Sequence, residues 1–109
     1  IDAEIKATGE QRTTVIYVGA PWCEPCRRFH DALKRGDLDK ELPGFVFFEF
    51  DHDKDEAMLK AMGCTSKLIP LFAVPDEQGN CSATRSEGGI KGDGAVPYMT
   101  PKIRALAKY

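Results

Sequence analysis

Residues 14–29 read TVIYVGAPWCEPCRRF, and this stretch decides the fold. The part at 13–19 is rich in β-branched residues and is typical of a strand. The part that follows predicts a helix at about 24–34. Cys23 and Cys26 therefore lie at a strand-to-helix turn, where the backbone N–H groups of the helix N-terminus favour a thiolate. The spacing predicts two thiols that close a small disulfide and open it again.

Length and composition limit the class of protein. A chain of 109 residues, 42% of them hydrophobic, predicts a single domain over residues 1–109 whose core does not depend on disulfide staples. The formal net charge of −2 gives no electrostatic attraction for nucleic acid or an anionic membrane, so we expect neither as a partner. No apolar stretch approaches the ~20 residues that span a bilayer. Because the sequence starts at Ile1 rather than Met, we expect a processed or trimmed chain, which can lack an upstream targeting segment.

The rest of the sequence predicts alternating helices and strands. It predicts a helical lead-in at 3–8, a strand at 45–50, a helix at 54–62 that buries Met58, Leu59 and Met62, strands at 68–74 and 81–86, and a last helix with Thr100 as its cap and Pro101 in its first turn. The nearly continuous apolar run at 45–50 is typical of a central parallel strand. The order predicts an α/β fold in which a central mixed β-sheet is flanked by helices on both faces.

Three elements give the chain a resemblance to the thioredoxin family from about Thr13 onward. They are Trp22-Cys23-Glu24-Pro25-Cys26 after a strand, Ile69-Pro70 at the head of a later strand, and Gly88-Gly89 after the hairpin. The Trp-Cys-x-Pro-Cys string with a downstream Ile-Pro is a specific signal, whereas a lone Cys-x-x-Cys is a weak one. The resemblance implies a thioredoxin fold and a thiol–disulfide oxidoreductase without cofactor or metal. It also implies a monomer that acts on protein disulfide substrates and is reduced by an upstream dithiol reductant.

By position, the resemblance implies that Cys23 is the exposed nucleophile and Cys26 the resolving thiol. It implies substrate-binding roles for Trp22, Pro25, Ile69, Pro70 and Gly89, with Trp22 covering the disulfide and Pro70 in the cis form. From the residues alone, the cysteine pair is also consistent with a permanent disulfide or with half of a zinc site, for which His30 is the obvious third ligand. A trans proline at a strand edge is likewise the commoner case for an isolated Ile-Pro.

The chain departs from the family six residues before the first cysteine. The family usually has a buried Asp there, thought to take a proton from the resolving thiol, and this chain has Tyr17, a poor acceptor at neutral pH. Glu49 interrupts the apolar central strand, and a carboxylate desolvated there would have a raised pKa that suits a general base. Glu49 is equally consistent with a solvated place near the strand edge. We hold it as the candidate proton acceptor for Cys26.

Glu24 is a second departure, because the family usually has Gly at this position. Its negative charge disfavours the Cys23 thiolate while Arg27 and Arg28 oppose that effect, so the net effect on the thiol stays open. The pair Glu24-Pro25 also resembles that of extracytoplasmic thioredoxin-like proteins that reduce apocytochrome c.

The other two cysteines are predicted to stay apart. In the implied fold, Cys64 falls near the active-site end of the sheet and Cys81 at the opposite end, whereas a disulfide needs Cα atoms within about 7 Å. Both are expected to be small, buried or partly buried apolar residues. His52, between acidic neighbours, is expected in a solvated turn.

The function we expect is protein disulfide reduction. A disulfide isomerase or oxidant would use the same residues at another potential. A cytochrome c maturation-type protein and a non-catalytic binding module are further alternatives. The short segment before the first long strand looks like that of bacterial extracytoplasmic thioredoxin-like domains. We therefore expect a periplasmic or other extracytoplasmic location, with a cytoplasmic one as the alternative.

Overall fold

The four strand-like runs of the sequence and one further segment, at 3–6, form one five-stranded sheet. The structure, a computed structural model, describes residues 3–6, 13–38, 40–42, 44–92 and 94–107, the first four by their backbone alone. The elements in chain order are β1 (Ala3–Lys6), β2 (Thr13–Gly19), α1 (Glu24–Arg35), β3 (Phe45–Asp51), α2 (Glu56–Ala61), β4 (Leu71–Pro75), β5 (Cys81–Glu87) and α3 (Ala95–Leu106). The strands lie in the order β1-β3-β2-β4-β5.

The sheet is mixed, as the sequence predicts. Strands β2 and β3 are parallel, whereas β1 runs antiparallel to β3, β4 to β2, and β5 to β4. Gly19 at the end of β2 lies opposite Asp51 at the end of β3. Parallel strands joined by a helical crossover finish at the same edge of a sheet. The turn after β2, which carries Cys23 and Cys26, therefore lies beside the turn after β3.

Helices cover both faces of the sheet, which confirms the predicted layering. Alternate residues of a strand point to opposite faces. Val15 and Tyr17 of β2 accordingly join a core with α1 and α3, while Ile16 and Val18 join a second core with α2. The first core contains a group of fully buried large side chains from five elements, namely Tyr17, Phe29, Phe47, Phe72, Met99 and Ile103.

The predicted helical lead-in is wrong where the structure describes it. Ala3–Lys6 forms strand β1, paired with β3 from Ala3 opposite Glu49 to Lys6 opposite Val46. A helix this short has little stability of its own, whereas the free edge of β3 offers backbone N–H and C=O groups that a strand satisfies. The rest of the predicted lead-in lies outside the described residues.

Two element boundaries differ because turns replace their first residues. Helix α2 begins at Glu56 rather than at 54, and of its three expected core residues only Leu59 is buried, while Met62 is partly buried and Met58 is 41% exposed. Strand β4 begins at Leu71 rather than at 68, because residues 67–70 form a bend before the strand.

The last helix begins earlier than predicted, at Ala95. Thr100 and Pro101 lie in its interior, and the Thr100 hydroxyl donates to the carbonyl of Val96 at 2.8 Å instead of capping the helix. Pro97 lies in the first turn, where the missing N–H has no intrahelical partner to lose. Burial of Ala95 and Met99 against the first core extends the helix toward its N-terminus.

Candidate active site

The cysteine pair lies at the start of α1. Cys23 is the N-cap residue, Pro25 lies in the first turn, and Cys23 and Cys26 form a disulfide with Cα atoms 5.2 Å apart. In this disulfide form Cys23 is 7% exposed and Cys26 is 2% exposed. Gly19 lets the helix approach the end of β2, because a Cβ there would lie 3.0 Å from the Cβ of Cys26. The N-terminus of α1 directs its free N–H groups toward Cys23, the more exposed residue of the pair.

The segment before β4 forms the wall opposite the pair. The Sγ atom of Cys23 lies 3.8 Å from the carbonyl oxygen of Ile69, and the Ile69–Pro70 peptide bond is cis. The N–H of Gly88 donates to the carbonyl of Pro70 at 2.9 Å. Gly89 packs so tightly that an added Cβ would lie 3.0 Å from Pro25 and 3.5 Å from Pro70. The structure thus brings Pro25, Ile69, Pro70 and Gly89 together beside Cys23.

Trp22 is 65% exposed and is held from the side. Its Nε1–H donates to Oδ2 of Asp53 at 2.7 Å, and the ring of His52 meets it edge-on with centroids 6.1 Å apart. The hydrogen bond from Trp22, followed by that from His52, lowers the pKa of Asp53. The turn that contains His52 and Asp53, which the sequence predicted only to be solvated, therefore positions Trp22. The sequence carried no signal for this contact, because Trp22 and Asp53 are 31 residues apart.

A cavity of about 470 Å³ lies beside Cys26 and is lined in part by Cys26, Tyr17, His30 and Glu49. Tyr17 and Glu49 are register partners on neighbouring strands, so their side chains share the face that α1 covers. Nδ1 of His30 and a carboxylate oxygen of Glu49 are 2.7 Å apart, with the two side chains 31% and 21% exposed. Glu49 is therefore neither fully buried nor remote: it lies in the cavity that Cys26 reaches.

Tyr17 occupies the place where the resemblance led us to expect a carboxylate. Its hydroxyl donates to the backbone carbonyl of Cys26 at 2.6 Å. Burial raises the pKa of Tyr17 well above its usual value, and the negative charges of Glu49 and Asp31 add to the shift. The phenol therefore stays protonated at neutral pH and acts as a hydrogen-bond donor, not as a proton acceptor.

The Glu24 carboxylate has one partner in helix α1 and another in the loop before α3. Its Oε2 atom accepts the N–H of Gly92 at 2.8 Å and Nε–H of Arg28 at 3.0 Å. The Gly92 backbone hydrogen bond and then the Arg28 contact lower the pKa of Glu24. The carboxylate is thus ionised and satisfied, and sequence reasoning missed its partner Gly92 because 68 residues separate the two.

Comparison with known proteins agrees with this geometry. The chain is 32% identical over 103 residues to the chloroplastic thioredoxin-like protein HCF164 of Arabidopsis thaliana, and equally to that of Oryza sativa subsp. japonica. The matched region is 94% of this chain and 37% of each relative. The chain belongs to the thioredoxin family.

A third relative of this thioredoxin-family chain is described as probable nucleoredoxin 3 of Oryza sativa subsp. japonica. It is 31% identical over 114 residues, which is 90% of this chain and 22% of the relative. The chain therefore spans less than two fifths of the length of the curated relatives it matches. None of the protein-family models matches the chain, and no solved structure matches it significantly.

The other two cysteines of this thioredoxin-family chain are joined, and the prediction that they stay apart was wrong. Cys64 and Cys81 form a disulfide with Cα atoms 5.2 Å apart. The physical reason is the course of the chain after β3. Helix α2 carries it back along the sheet, and the N–H of Cys81 donates to the carbonyl of Met62 at 2.9 Å, so both cysteines lie at the end of the sheet remote from Cys23.

Two further observations concern the part of the chain that the structure describes. Within these residues, no group of three or more His, Cys, Asp and Glu side chains is placed to hold a metal ion. Within the same residues, no helix is both long and apolar enough to cross a membrane.

Proposed function

We propose that the domain is a thiol–disulfide oxidoreductase that reduces protein disulfides through the Cys23–Cys26 couple. The observation that carries the proposal is the place of the pair at the N-terminus of α1, with Cys23 Sγ 3.8 Å from the Ile69 carbonyl. Membership of the thioredoxin family supports thiol–disulfide exchange as the chemistry. We propose reduction as the direction of exchange and protein disulfides as the class of substrate.

The proposed reaction has two exchange steps. The Cys23 thiolate attacks one sulfur of the substrate disulfide, which forms a mixed disulfide and releases one substrate thiolate. The Cys26 thiolate then attacks Cys23 Sγ, which releases the second substrate thiolate and forms the Cys23–Cys26 disulfide. Two electrons pass to the substrate, and an upstream dithiol reductant restores the pair by the reverse exchange.

The second step requires that Cys26 lose its proton. Glu49 is the proposed acceptor, because it lines the same cavity as Cys26 and Tyr17 is held protonated. Its contact with His30 lets the imidazole share a proton that arrives on the carboxylate. The cavity is large enough for water to connect the thiol and the carboxylate.

The wall beside Cys23 is the proposed substrate site. Ile69, Pro70, Pro25 and Gly89 converge there, and Trp22 flanks them with most of its ring exposed. Because Gly89 has no side chain, its backbone packs directly against Pro25 and Pro70, so the wall suits an extended segment on either side of the substrate cysteine.

The proposed location is extracytoplasmic. The Cys64–Cys81 disulfide supports it, because disulfides outside a redox site persist mainly in oxidising compartments. The HCF164 relatives are described as chloroplastic, which places those proteins in an organelle. Thiol trapping in the source cells tests the location: an oxidised Cys64–Cys81 pair is expected, and free thiols at both positions would favour the cytoplasm.

Insulin reduction by dithiothreitol tests the activity. We expect the wild-type domain to accelerate precipitation of insulin chains and Cys23→Ser to return the rate to the uncatalysed one. Equal rates for the two proteins would contradict an enzyme and favour a binding module. Equilibration with glutathione then tests the direction, since about 30 mV changes the equilibrium tenfold. A couple as oxidising as those of isomerases or oxidants would overturn the assignment as a reductase.

A further inference from the structure

The residue between the nucleophile and Pro25 makes a long-range contact of its own. Glu24 is the first residue of α1, and its Oε2 atom accepts the N–H of Gly92 at 2.8 Å. We call residues 88–92 the glycine loop. The contact connects this loop directly to the turn that holds Cys23 and Cys26. Hydrogen bonds to an ionised carboxylate are about twice as strong as those between neutral groups.

The opposite end of the glycine loop is tied to the substrate wall. Gly88 donates its N–H to the carbonyl of Pro70 at 2.9 Å, and Gly89 lies so close to Pro25 that an added Cβ would be 3.0 Å from the proline Cβ. Two neighbouring residues of the redox turn, Glu24 and Pro25, therefore hold two glycines of one loop. Gly92 has φ +87°, a left-handed conformation in which glycine presents its N–H without strain.

The charge of Glu24 is balanced without Cys23. Arg28, one helical turn later, donates Nε–H to the same Oε2 atom at 3.0 Å, and Lys91 of the glycine loop adds a second positive charge nearby. The carboxylate is thus directed at the loop and at Arg28. This explains how an acidic residue can follow the nucleophile directly.

We propose that Glu24 is a positioning residue that holds the glycine loop against the redox turn, so that Gly89 and Pro70 form one continuous wall for an extended protein substrate. The inference rests on the proposed function for its role and on the Gly92 contact for its geometry. Without the carboxylate, the loop loses its hydrogen bond to the redox turn, while the Gly88–Pro70 hydrogen bond and the Gly89 packing remain. Binding of a long substrate then weakens, while exchange with a small disulfide, which is too small to use the wall, does not depend on this contact.

Two substitutions at Glu24 distinguish the loss of the loop contact from the loss of the negative charge. Glu24→Gln and Glu24→Ala both remove the negative charge beside Cys23, but Gln keeps a carbonyl oxygen that can accept the Gly92 N–H. We expect the KM of Glu24→Ala for insulin to be roughly fivefold that of Glu24→Gln, the loss of about one hydrogen bond. Because the two variants lose the same charge beside Cys23, we expect them to share the same kcat and the same rate on a small aromatic disulfide. We expect Glu24→Gln to keep KM close to the wild-type value. Equal KM values for the two variants would overturn the proposal, and so would a similar difference between the two variants on the small disulfide.

Amide hydrogen exchange of Gly92, followed by NMR, tests the tie without reference to activity. The Gly92 amide should exchange faster in Glu24→Ala than in the wild-type domain and at a near wild-type rate in Glu24→Gln. Unchanged exchange in Glu24→Ala would contradict the tie. If the wild-type domain fails to reduce insulin while Gly92 exchange responds as expected, the proposed function fails and the contact stands.

Discussion

At the scale of single residues, Tyr17 takes the position of the family's usual Asp and has two roles there. Its ring stacks on Phe72 with centroids 5.1 Å apart and meets Phe29 edge-on, while its hydroxyl fixes the carbonyl of Cys26. One side chain thus completes the core and holds the first turn of α1. A carboxylate could not do the first of these, because a charge buried among aromatic rings is costly. Tyr17 itself therefore cannot serve as the proton acceptor at neutral pH.

The decrease in the free energy of unfolding at alkaline pH should depend on Tyr17. Its folded-state pKa is raised above the unfolded value of about 10, so the folded protein holds this proton more tightly. The stabilising contribution is complete below pH 10 and is lost as the pH rises toward the folded pKa. Urea unfolding at pH 7 to 11 should show this decline in the wild-type domain and less of it in Tyr17→Phe. At pH 7, Tyr17→Phe should lower the free energy of unfolding by about 1 kcal/mol. Equal alkaline slopes for the two proteins would contradict the assignment.

Glu49 should control the second exchange step. In Glu49→Gln, the Cys26 thiol loses its proposed acceptor, and the mixed disulfide should resolve roughly 10- to 100-fold more slowly, at or below the low end of what general bases contribute. Stopped-flow decay of a mixed disulfide at Cys23 measures this rate. Asp55→Asn is the matched control, because Asp55 also lines the cavity but accepts the backbone N–H of Asp51. If the mixed disulfide resolved at the wild-type rate in Glu49→Gln, Glu49 would be excluded as the proton acceptor.

At the scale of elements, the Cys64–Cys81 disulfide ties α2 to the edge of the sheet. Helix α2 has six residues and one buried side chain, Leu59, so it has little packing to hold it. The disulfide connects the loop after α2 to β5, and Arg85 donates to the carbonyl of Gly63 at 3.2 Å in the same place. This loop continues to Ile69, so the tie also supports the substrate wall.

Removal of the second disulfide should destabilise the fold. The bond closes a loop with a sequence separation of 17, so Cys64→Ala/Cys81→Ala should lower the free energy of unfolding by about 3 kcal/mol. Urea unfolding at neutral pH without reductant measures the loss. Met58→Ala is the control on the same helix, because Met58 is exposed and should change stability little. A double variant as stable as the wild-type protein would show that the disulfide is dispensable.

The elements that the sequence predicted correctly are those with a strong local pattern. Strand β2, helix α1 and strand β3 follow the β-branched run, the helical spacing and the apolar run closely. The predictions are wrong where a contact between residues distant in sequence determines the element. Strand β1 exists because β3 has a free edge, and α3 starts at Ala95 because the first core buries that residue.

At the scale of the whole molecule, two cores lie on the two faces of one sheet, and the larger one carries the active-site helix. Aromatic rings from β2, α1, β3 and β4 meet in that core, with Phe72 in contact with Tyr17, Phe29 and Phe47. The position of α1, and with it the cysteine pair, depends on this packing. Stability of the fold and geometry of the site are therefore coupled.

Truncation at the centre of this cluster should be severe. Phe72 is 1% exposed, and Phe72→Ala should lower the free energy of unfolding by about 3–5 kcal/mol through lost burial and a cavity. Thermal unfolding monitored by circular dichroism measures it. Phe48→Ala, at a partly exposed position on the other face, should cost clearly less. Equal losses for the two variants would contradict the central role of the cluster.

By itself the sequence determined the strand, turn and helix that present Cys23 and Cys26, the mixed sheet with helices on both faces, and the family resemblance. Strand pleat, helical period and turn chemistry act over a few residues, so they can be read locally. Only the tertiary structure decided that Cys64 bonds to Cys81, that Glu24 holds Gly92 and that Glu49 meets His30. These pairs are distant in sequence, and their contact depends on strand register and on where each helix returns the chain.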